Sequence, residues 1–263
     1  MEKILVGVPC YNCAPQIVRV IAALSELQLP ATMTVAFVDN GSTDGTLEAV
    51  LAAATHLPRY LVLKNLRNYG LGGSQRILFG HALAHGFDRV AILHGDDQAV
   101  PAELALLLGH VAERRCHVLG SRFSSGARRI GYQRSRVLGN LGLNLFFSVV
   151  LRRRIEDLGS GLNLFDVGLL RQIDLRTLGR GFSFNFELLL SFIDHRQPFE
   201  FYPITWRETD QTSNARNLRV AASMLSSWAR WVTGRRVVDG DSLSADILVR
   251  HLPLGERESD GVR

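Results

Sequence analysis

Lysine is nearly missing from this chain: of its 30 basic residues, only Lys3 and Lys64 are not arginine. The formal charge of +5 therefore resides in planar guanidinium forks, which match phosphate oxygens two at a time. Such forks suit diphosphates, lipid phosphates or nucleic acid, and a GC-rich genome would produce the same bias, so charge alone selects no partner. Cysteine is scarce too. Cys10, Cys13 and Cys116 make an odd set that argues against a disulfide framework. No run approaches the roughly 18 uninterrupted apolar residues of a membrane span. Ile4–Val8 follows the first residues without a charged leader or cleavage site, which predicts a cytoplasmic protein. No internal repeat is found.

With 263 residues, 46% of them apolar, the chain can fill one large core, so residues 1–250 are expected to form a single domain. From His251 to residue 263 the composition is polar and reads as a flexible tail.

The first half alternates between two periodicities. Ile4–Val8, Val35–Val38, Tyr60–Leu63 and Val90–Leu93 read as short buried strands. Ile17, Val20, Ile21, Leu24 and Leu27 recur at helical spacing; Leu47–Leu51 and the segment from Tyr69 to His85 continue the pattern. Pro101 fits the first turn of a further helix. The alternation predicts an α/β fold: a mainly parallel sheet with helices on both faces and ligands beyond the carboxyl ends of the strands. Polar clusters sit at each of those ends.

The second half is looser. Arg122 to Arg136 reads as a loop, Val137 to Leu151 as a greasy helix, Leu162–Phe165 and Phe199–Ile204 as strands, and Phe186–Phe192 as a helix. The last helix, Leu218–Val232, carries Val220, Met224, Leu225, Trp228 and Trp231 mostly on one face. Core packing is the ordinary use of such a stripe; peripheral contact with the inner face of a membrane is the other.

Four motifs occur in order at the strand ends: Val8-Pro9-Cys10-Tyr11-Asn12, Val38-Asp39-Asn40-Gly41-Ser42-Thr43-Asp44-Gly45-Thr46, Asn68-Tyr69-Gly70-Leu71-Gly72-Gly73 and Leu93-His94-Gly95-Asp96-Asp97-Gln98. Together they resemble the family-2 glycosyltransferases of GT-A fold, and within them the dolichyl- and polyprenyl-phosphate sugar synthases. The resemblance covers about residues 1–220.

It implies a nucleotide-sugar-binding half, 1–120, and an acceptor half, 121–250. In the donor half, Pro9, Tyr11 and Asn12 would cradle the base, and Asp39 would accept a hydrogen bond from base or ribose. Asn68, Gly72 and Gly95 would line the same site, and the Gly-rich loop would turn helix-terminal amides toward anionic groups. Asn12 stands where many relatives carry Glu, and Asn40 where many carry Asp, so uridine and guanosine both remain open.

His94-Gly95-Asp96 occupies the place of the family's Asp-x-Asp metal motif. Asp96 is the natural ligand for Mg²⁺ or Mn²⁺ bridging the diphosphate, and Gln98 matches a position near metal and phosphates. His94 would ligate the metal, favouring Mn²⁺, or contact nucleotide or metal-bound water instead. Asp97 is expected to point elsewhere.

On the acceptor side, family segments carried over to this chain point to Arg122, to Arg134 or Arg136, and to Arg207, with Asn214 where relatives often have Lys. Asp96 and Arg207 would carry catalysis. The implied reaction is inverting transfer from a nucleoside diphosphate-sugar to a lipid-phosphate or small-molecule acceptor. A phosphate acceptor needs no base; a hydroxyl acceptor would, and Asp157, Glu187 and His94 are the candidates.

Three other classes stay in view: a thioredoxin-like pair at Cys10-x-x-Cys13, dinucleotide binding by the Gly-rich loop, and a non-catalytic nucleotide-sugar-binding protein. No nucleic-acid partner is expected.

Overall fold

The structure, a computed structural model, describes residues 2–27, 29–111, 114–210, 217–235, 238–239 and 243–251. The elements run in the order β1 (Ile4–Cys10), α1 (Ala14–Glu26), β2 (Met33–Asp39), α2 (Thr46–Ala53), β3 (Tyr60–Asn65), α3 (Gly70–Ala84), β4 (Arg89–Leu93) and α4 (Glu103–Val111). They continue with β5 (His117–Ser121), β6 (Arg128–Ile130), α5 (Arg134–Leu151), β7 (Leu162–Asp166), α6 (Val167–Leu170) and α7 (Phe184–Asp194). The described chain closes with β8 (Phe199–Pro203), β9 (Thr205–Arg207), α8 (Asn217–Val232) and β10 (Ala245–His251).

Eight strands form one sheet in the order β10-β3-β2-β1-β4-β7-β5-β8. The β3-β2-β1-β4 block is parallel, as is β5 with β8; β7 and β10 run antiparallel to their neighbours. Strand β1 shows why its sequence reads as an unbroken apolar run. All seven of its residues are buried, with Ile4, Val6 and Val8 on one face and Leu5 on the other.

The two faces hold two cores. On one, Ile17, Val20, Ile21 and Leu24 of α1 meet Val50 of α2 and Leu104 and Leu107 of α4. On the other, Leu78 and Phe79 of α3 meet Phe147 of α5, Phe184, Phe186 and Phe192 of α7, and Met224 of α8. Each such side chain contributes roughly 1.5–3 kcal/mol when taken fully out of water.

The expected alternation and mainly parallel sheet are present, with three local differences. Arg128–Ile130, inside the stretch read as a loop, pairs in parallel with β9. Helix α5 begins at Arg134 and so carries Arg134 and Arg136 on its first turn. Strand β10 was not anticipated: its backbone pairs with β3, and the His251 ring stacks on Tyr60 at 5.2 Å. His251 is therefore part of the sheet rather than of a frayed tail; residues 252–263 lie outside the described ones.

The chain runs outward from β1 in both directions, toward β2 and toward β4. That reversal leaves a crevice beyond the carboxyl ends of β1, β2 and β4.

Candidate active site

A cleft of about 930 Å³ opens at this reversal. Strand β1 delivers Pro9, Tyr11 and Asn12 to it, the segment after β3 delivers Asn68, Gly70 and Leu71, and β4 delivers His94, Gly95, Asp96 and Gln98. From the second half come Arg122, Arg136 and Trp206, with Gly139, Asn140 and Leu143 of α5 and Val220, Ala221 and Met224 of α8.

Backbone ties hold the strand ends in register. Asn40 donates its backbone N–H to the Cys10 carbonyl at 2.9 Å, and Gly95 donates to that of Pro9 at 3.1 Å. The Asn40 carboxamide joins two more pieces: it accepts from Asn65 Nδ2 and the Tyr69 amide, both at 2.8 Å, and donates to Asn68 Oδ1 at 3.0 Å. Asn12, with φ of 48°, accepts from the Thr43 amide at 2.9 Å and donates its own amide to Ser42 Oγ at 3.1 Å. The Asn40 carboxamide both donates and accepts, where a carboxylate could only accept; Asn12 accepts through its side chain and donates through its backbone.

His94 and Asp96, separated by Gly95, both line the cleft wall. The His94 amide donates to the Gly161 carbonyl at 2.8 Å, and its ring lies flat enough on Gly161 that a Cβ there would stand 3.2 Å from ring atoms and 3.2 Å from Trp206. His94 Nε2 is buried and has no hydrogen-bond partner among the described residues. Burial lowers the pKa of this imidazole, although Asp96 opposes the shift; burial raises that of Asp96, although His94 opposes it. Asp96 Oδ1 accepts from the Gln98 amide at 3.3 Å. Asp97, with φ of 59°, turns away and binds Arg19 at 2.7 Å, as anticipated.

Among the described residues no group of three or more His, Cys, Asp or Glu is placed to hold a metal ion. The pair His94 and Asp96 fits an ion shared with a ligand, because it supplies an unpartnered imidazole nitrogen and a carboxylate but not a full shell.

Arg122 is buried against Asp157, donating Nε at 2.8 Å and Nη2 at 2.6 Å, with its backbone amide adding a third bond at 2.9 Å. Its guanidinium stands 5.1 Å from the Trp206 ring centroid and 5.3 Å from that of Phe123. Arg136 is clamped by Glu208 at 2.7 and 2.6 Å, and its Nε is buried without a partner among the described residues.

Several expected site residues lie elsewhere. Asp39 is buried outside the cleft lining, its carboxylate accepting from the Gly41 and Ser42 amides at 3.2 and 3.3 Å, so it caps its own loop. Gly72 donates its amide to the Arg180 carbonyl at 2.8 Å, and the Tyr69 and Gly70 amides are taken by Asn40 and Asn68. The α3 terminus therefore spends these amides on the protein rather than on an anion. Arg134 is exposed and outside the lining. So is Arg207, whose neighbour Trp206 points inward on the same short strand. Asn214 lies outside the described residues.

Two of the three base candidates are engaged; the third, His94, stands beside Asp96 with its Nε2 unpartnered among the described residues. Asp157 holds Arg122, and Glu187 accepts from Ser183 Oγ at 3.0 Å and Ser227 Oγ at 2.6 Å. Asp96 and Asp210 are the acidic residues lining the cleft among the described ones, and Asp210 binds Arg19 through both oxygens at 3.0 and 2.9 Å. Cys10 and Cys13 are free and buried; a hydrogen bond from Cys13, then burial, pushes the Cys10 thiol well up, opposite to what a redox thiolate needs.

Sequence reasoning missed Tyr132, Asn140 and Asn185 as cleft residues. Tyr132 had a signal: it is one of two aromatics, with Phe123, inside an Arg-rich stretch. The Asn185 Oδ1 is a further buried atom without a partner among the described residues.

The model of "Glycosyl transferase family 2" matches residues 5–173, from β1 through α6. The chain belongs to glycosyl transferase family 2. This family-2 enzyme is similar to an undecaprenyl-phosphate mannosyltransferase of Micrococcus luteus, 24% identical over 230 residues, covering 87% of this chain and 93% of the relative. Its fold matches that of mannosyltransferase PcManGT from Pyrobaculum calidifontis, solved with GDP-Man and Mn²⁺, at a TM-score of 0.61 and 20% identity, covering 88% of this chain and 64% of that one. It also matches glucosyl-3-phosphoglycerate synthase from Mycobacterium tuberculosis, solved with Mn²⁺, uridine-diphosphate and glucosyl-3-phosphoglycerate, at 0.60 and 17%, covering 96% and 90%. The family-2 transferase thus has the GT-A fold that its strand-end motifs predicted.

Proposed function

We propose that this glycosyltransferase moves a sugar, with inversion, from a nucleoside diphosphate-sugar to a polyprenyl phosphate. The observation that carries the acceptor assignment is the state of the acids in the cleft. Of the two carboxylates that line it among the described residues, Asp210 is bound to Arg19, and Asp96 sits beside His94 where the metal motif falls. A hydroxyl acceptor would need a base within hydrogen-bond reach, whereas a phosphate is already an anion and attacks unaided.

In this reading residues 1–120 hold the donor and 121–250 the acceptor. Pro9, Tyr11, Asn12 and Asn68 frame the base and ribose, and Asn40 holds those pieces together. Asp96 and His94 would hold Mg²⁺ or Mn²⁺ with the diphosphate, and such an ion supplies charge neutralisation for the leaving group. Gln98, which lines the same cleft, would lie near those oxygens. Arg122 and Arg136 replace Arg207 as the cations facing phosphate, since both line the cleft and each keeps N–H groups beyond those its carboxylate partner takes. Aligned binding of acceptor and donor on opposite sides of the anomeric carbon gives in-line displacement. The undecaprenyl-phosphate mannosyltransferase likeness supports the acceptor class, and the Mn²⁺ in the two solved neighbours supports the metal. A cytoplasmic location is proposed with it.

The test is transfer from radiolabelled nucleoside diphosphate-sugars to undecaprenyl phosphate in detergent. Lipid-linked sugar should form with Mn²⁺ or Mg²⁺ and drop on the order of a hundredfold or more in Asp96→Asn. Transfer confined to soluble hydroxyl compounds would sink the acceptor assignment.

A further inference from the structure

Helix α5 has two uses for its surface. Gly139, Asn140 and Leu143 line the cleft, while Leu138, Leu141, Leu145 and Val149 face outward at 70, 43, 68 and 68% exposure. Steps of three and four residues put these four side chains on one stripe. Phe146 and Val150 widen it, and the Phe146 ring meets Trp228 of α8 at 5.9 Å, so the exposed Leu225 and Val232 of that helix belong to the same side.

The charges at the ends of the stripe are mainly cationic, with Arg154 paired to Glu156 at 2.8 Å. No acidic residue occurs in α5. Arg134 stands exposed at its first turn, and Arg152, Arg153 and Arg154 stand exposed just past its last. Among the described residues no helix is long and apolar enough to cross a membrane. An apolar stripe with cations at both ends and no spanning length is the pattern of a helix lying in a headgroup layer.

We propose that α5, with the adjoining face of α8, docks this enzyme on an anionic lipid bilayer, so that a polyprenyl phosphate reaches the cleft from the membrane along these two helices. The inference rests on the polyprenyl-phosphate reading for its purpose, not for its geometry. On α5 and α8 the cleft wall carries Leu143, Val220, Ala221 and Met224, with Asn140 and Arg136 of α5 nearer its first turn, and Arg122 lines the same cleft. That suits a ligand that is greasy along its length and anionic at its head. A second copy of the chain is the poorer occupant. Either orientation of two such helices brings arginine ends together, with no carboxylate on the stripe to offset them.

The experiment is co-sedimentation of the full chain with vesicles of phosphatidylcholine containing phosphatidylglycerol, and with vesicles of phosphatidylcholine alone. Three proteins are compared: the parent, a Leu145→Glu/Val149→Glu double variant and an Arg152→Glu/Arg153→Glu double variant. All four positions are exposed and outside the cleft, so turnover of a short, water-soluble prenyl phosphate should stay at the parental level and report intact folding. The parent should bind the anionic vesicles best, and each double variant should bind them at least about tenfold more weakly. Parental vesicle binding by both variants, or no binding by the parent, overturns the inference. So does a parent that is dimeric by sedimentation velocity while the Leu145/Val149 variant is monomeric and neither binds vesicles. Vesicle binding that persists without transfer to either the long or the short prenyl phosphate supports the docking face and overturns the acceptor assignment instead.

Discussion

Gly161 bears the His94 ring on one side and Trp206 on the other, each within 3.2 Å of where a Cβ would stand. Gly161→Ala should therefore push the imidazole off its seat, costing about 1–3 kcal/mol of stability and lowering turnover more than donor affinity. Thermal unfolding and separate kcat and KM measurements check this. The Arg122–Asp157 pair carries a larger penalty when broken. Asp157→Asn removes the charge partner of a guanidinium that is nearly fully buried. The expected loss is roughly 3–5 kcal/mol, read from urea unfolding. At this scale the motifs told which residues belong near the cleft but not where each points. Asp39 sits at a predicted strand end and Arg207 in the expected acceptor segment, yet one turns onto its own loop amides and the other out to solvent. The family pattern could not report that, because both orientations keep the same spacing.

Elements were legible wherever burial imposed a period. Strands β1 to β4 and helices α1 and α3 bury their apolar positions, so composition marks them. The short β6 and the edge strand β10 escaped for the opposite reason: their residues are largely exposed, and they are held by backbone pairing that any side chain permits. Helix α7 joins its surroundings through Glu187, which accepts from the Gly179 amide, Ser183 on its cap and Ser227 on α8. Glu187→Ala leaves these donors unmet, and a loss of about 2–3 kcal/mol is expected on chemical unfolding. If Glu187 acted as a catalytic base, Glu187→Gln would abolish transfer. As a structural joint it should retain most of it, and the two outcomes separate in one assay.

At the scale of the whole molecule, stability should depend on pH through His117. This ring is fully buried, stacked on Phe192 at 4.0 Å, bonded to Gln197 at 3.0 Å, and accepts from the Asp166 amide at 3.3 Å. Burial, opposed by the Gln197 bond, lowers its pKa from 6.5 to about 4. The folded state thus refuses a proton that the unfolded chain accepts. Its contribution is intact above pH 6.5 and fades as pH falls toward about 4, by about 3 kcal/mol in all. Unfolding free energies across that range should slope downward with acid, and His117→Asn should flatten the slope. Donor binding acts on the same equilibrium: a nucleoside diphosphate-sugar with Mn²⁺ should raise Tm in proportion to its occupancy, and Asp96→Asn should erase the metal-dependent part.

The Asn40 carboxamide ties the ends of β2 and β3 to the loop entering α3, and Asn12 ties the end of β1 to the segment before α2. Both are amides where many relatives place acids, and amides do not titrate. These two ties are therefore uncharged scaffolding, deaf to proton concentration. In the proposed reading these two side chains add no negative charge for an incoming pyrophosphate to overcome.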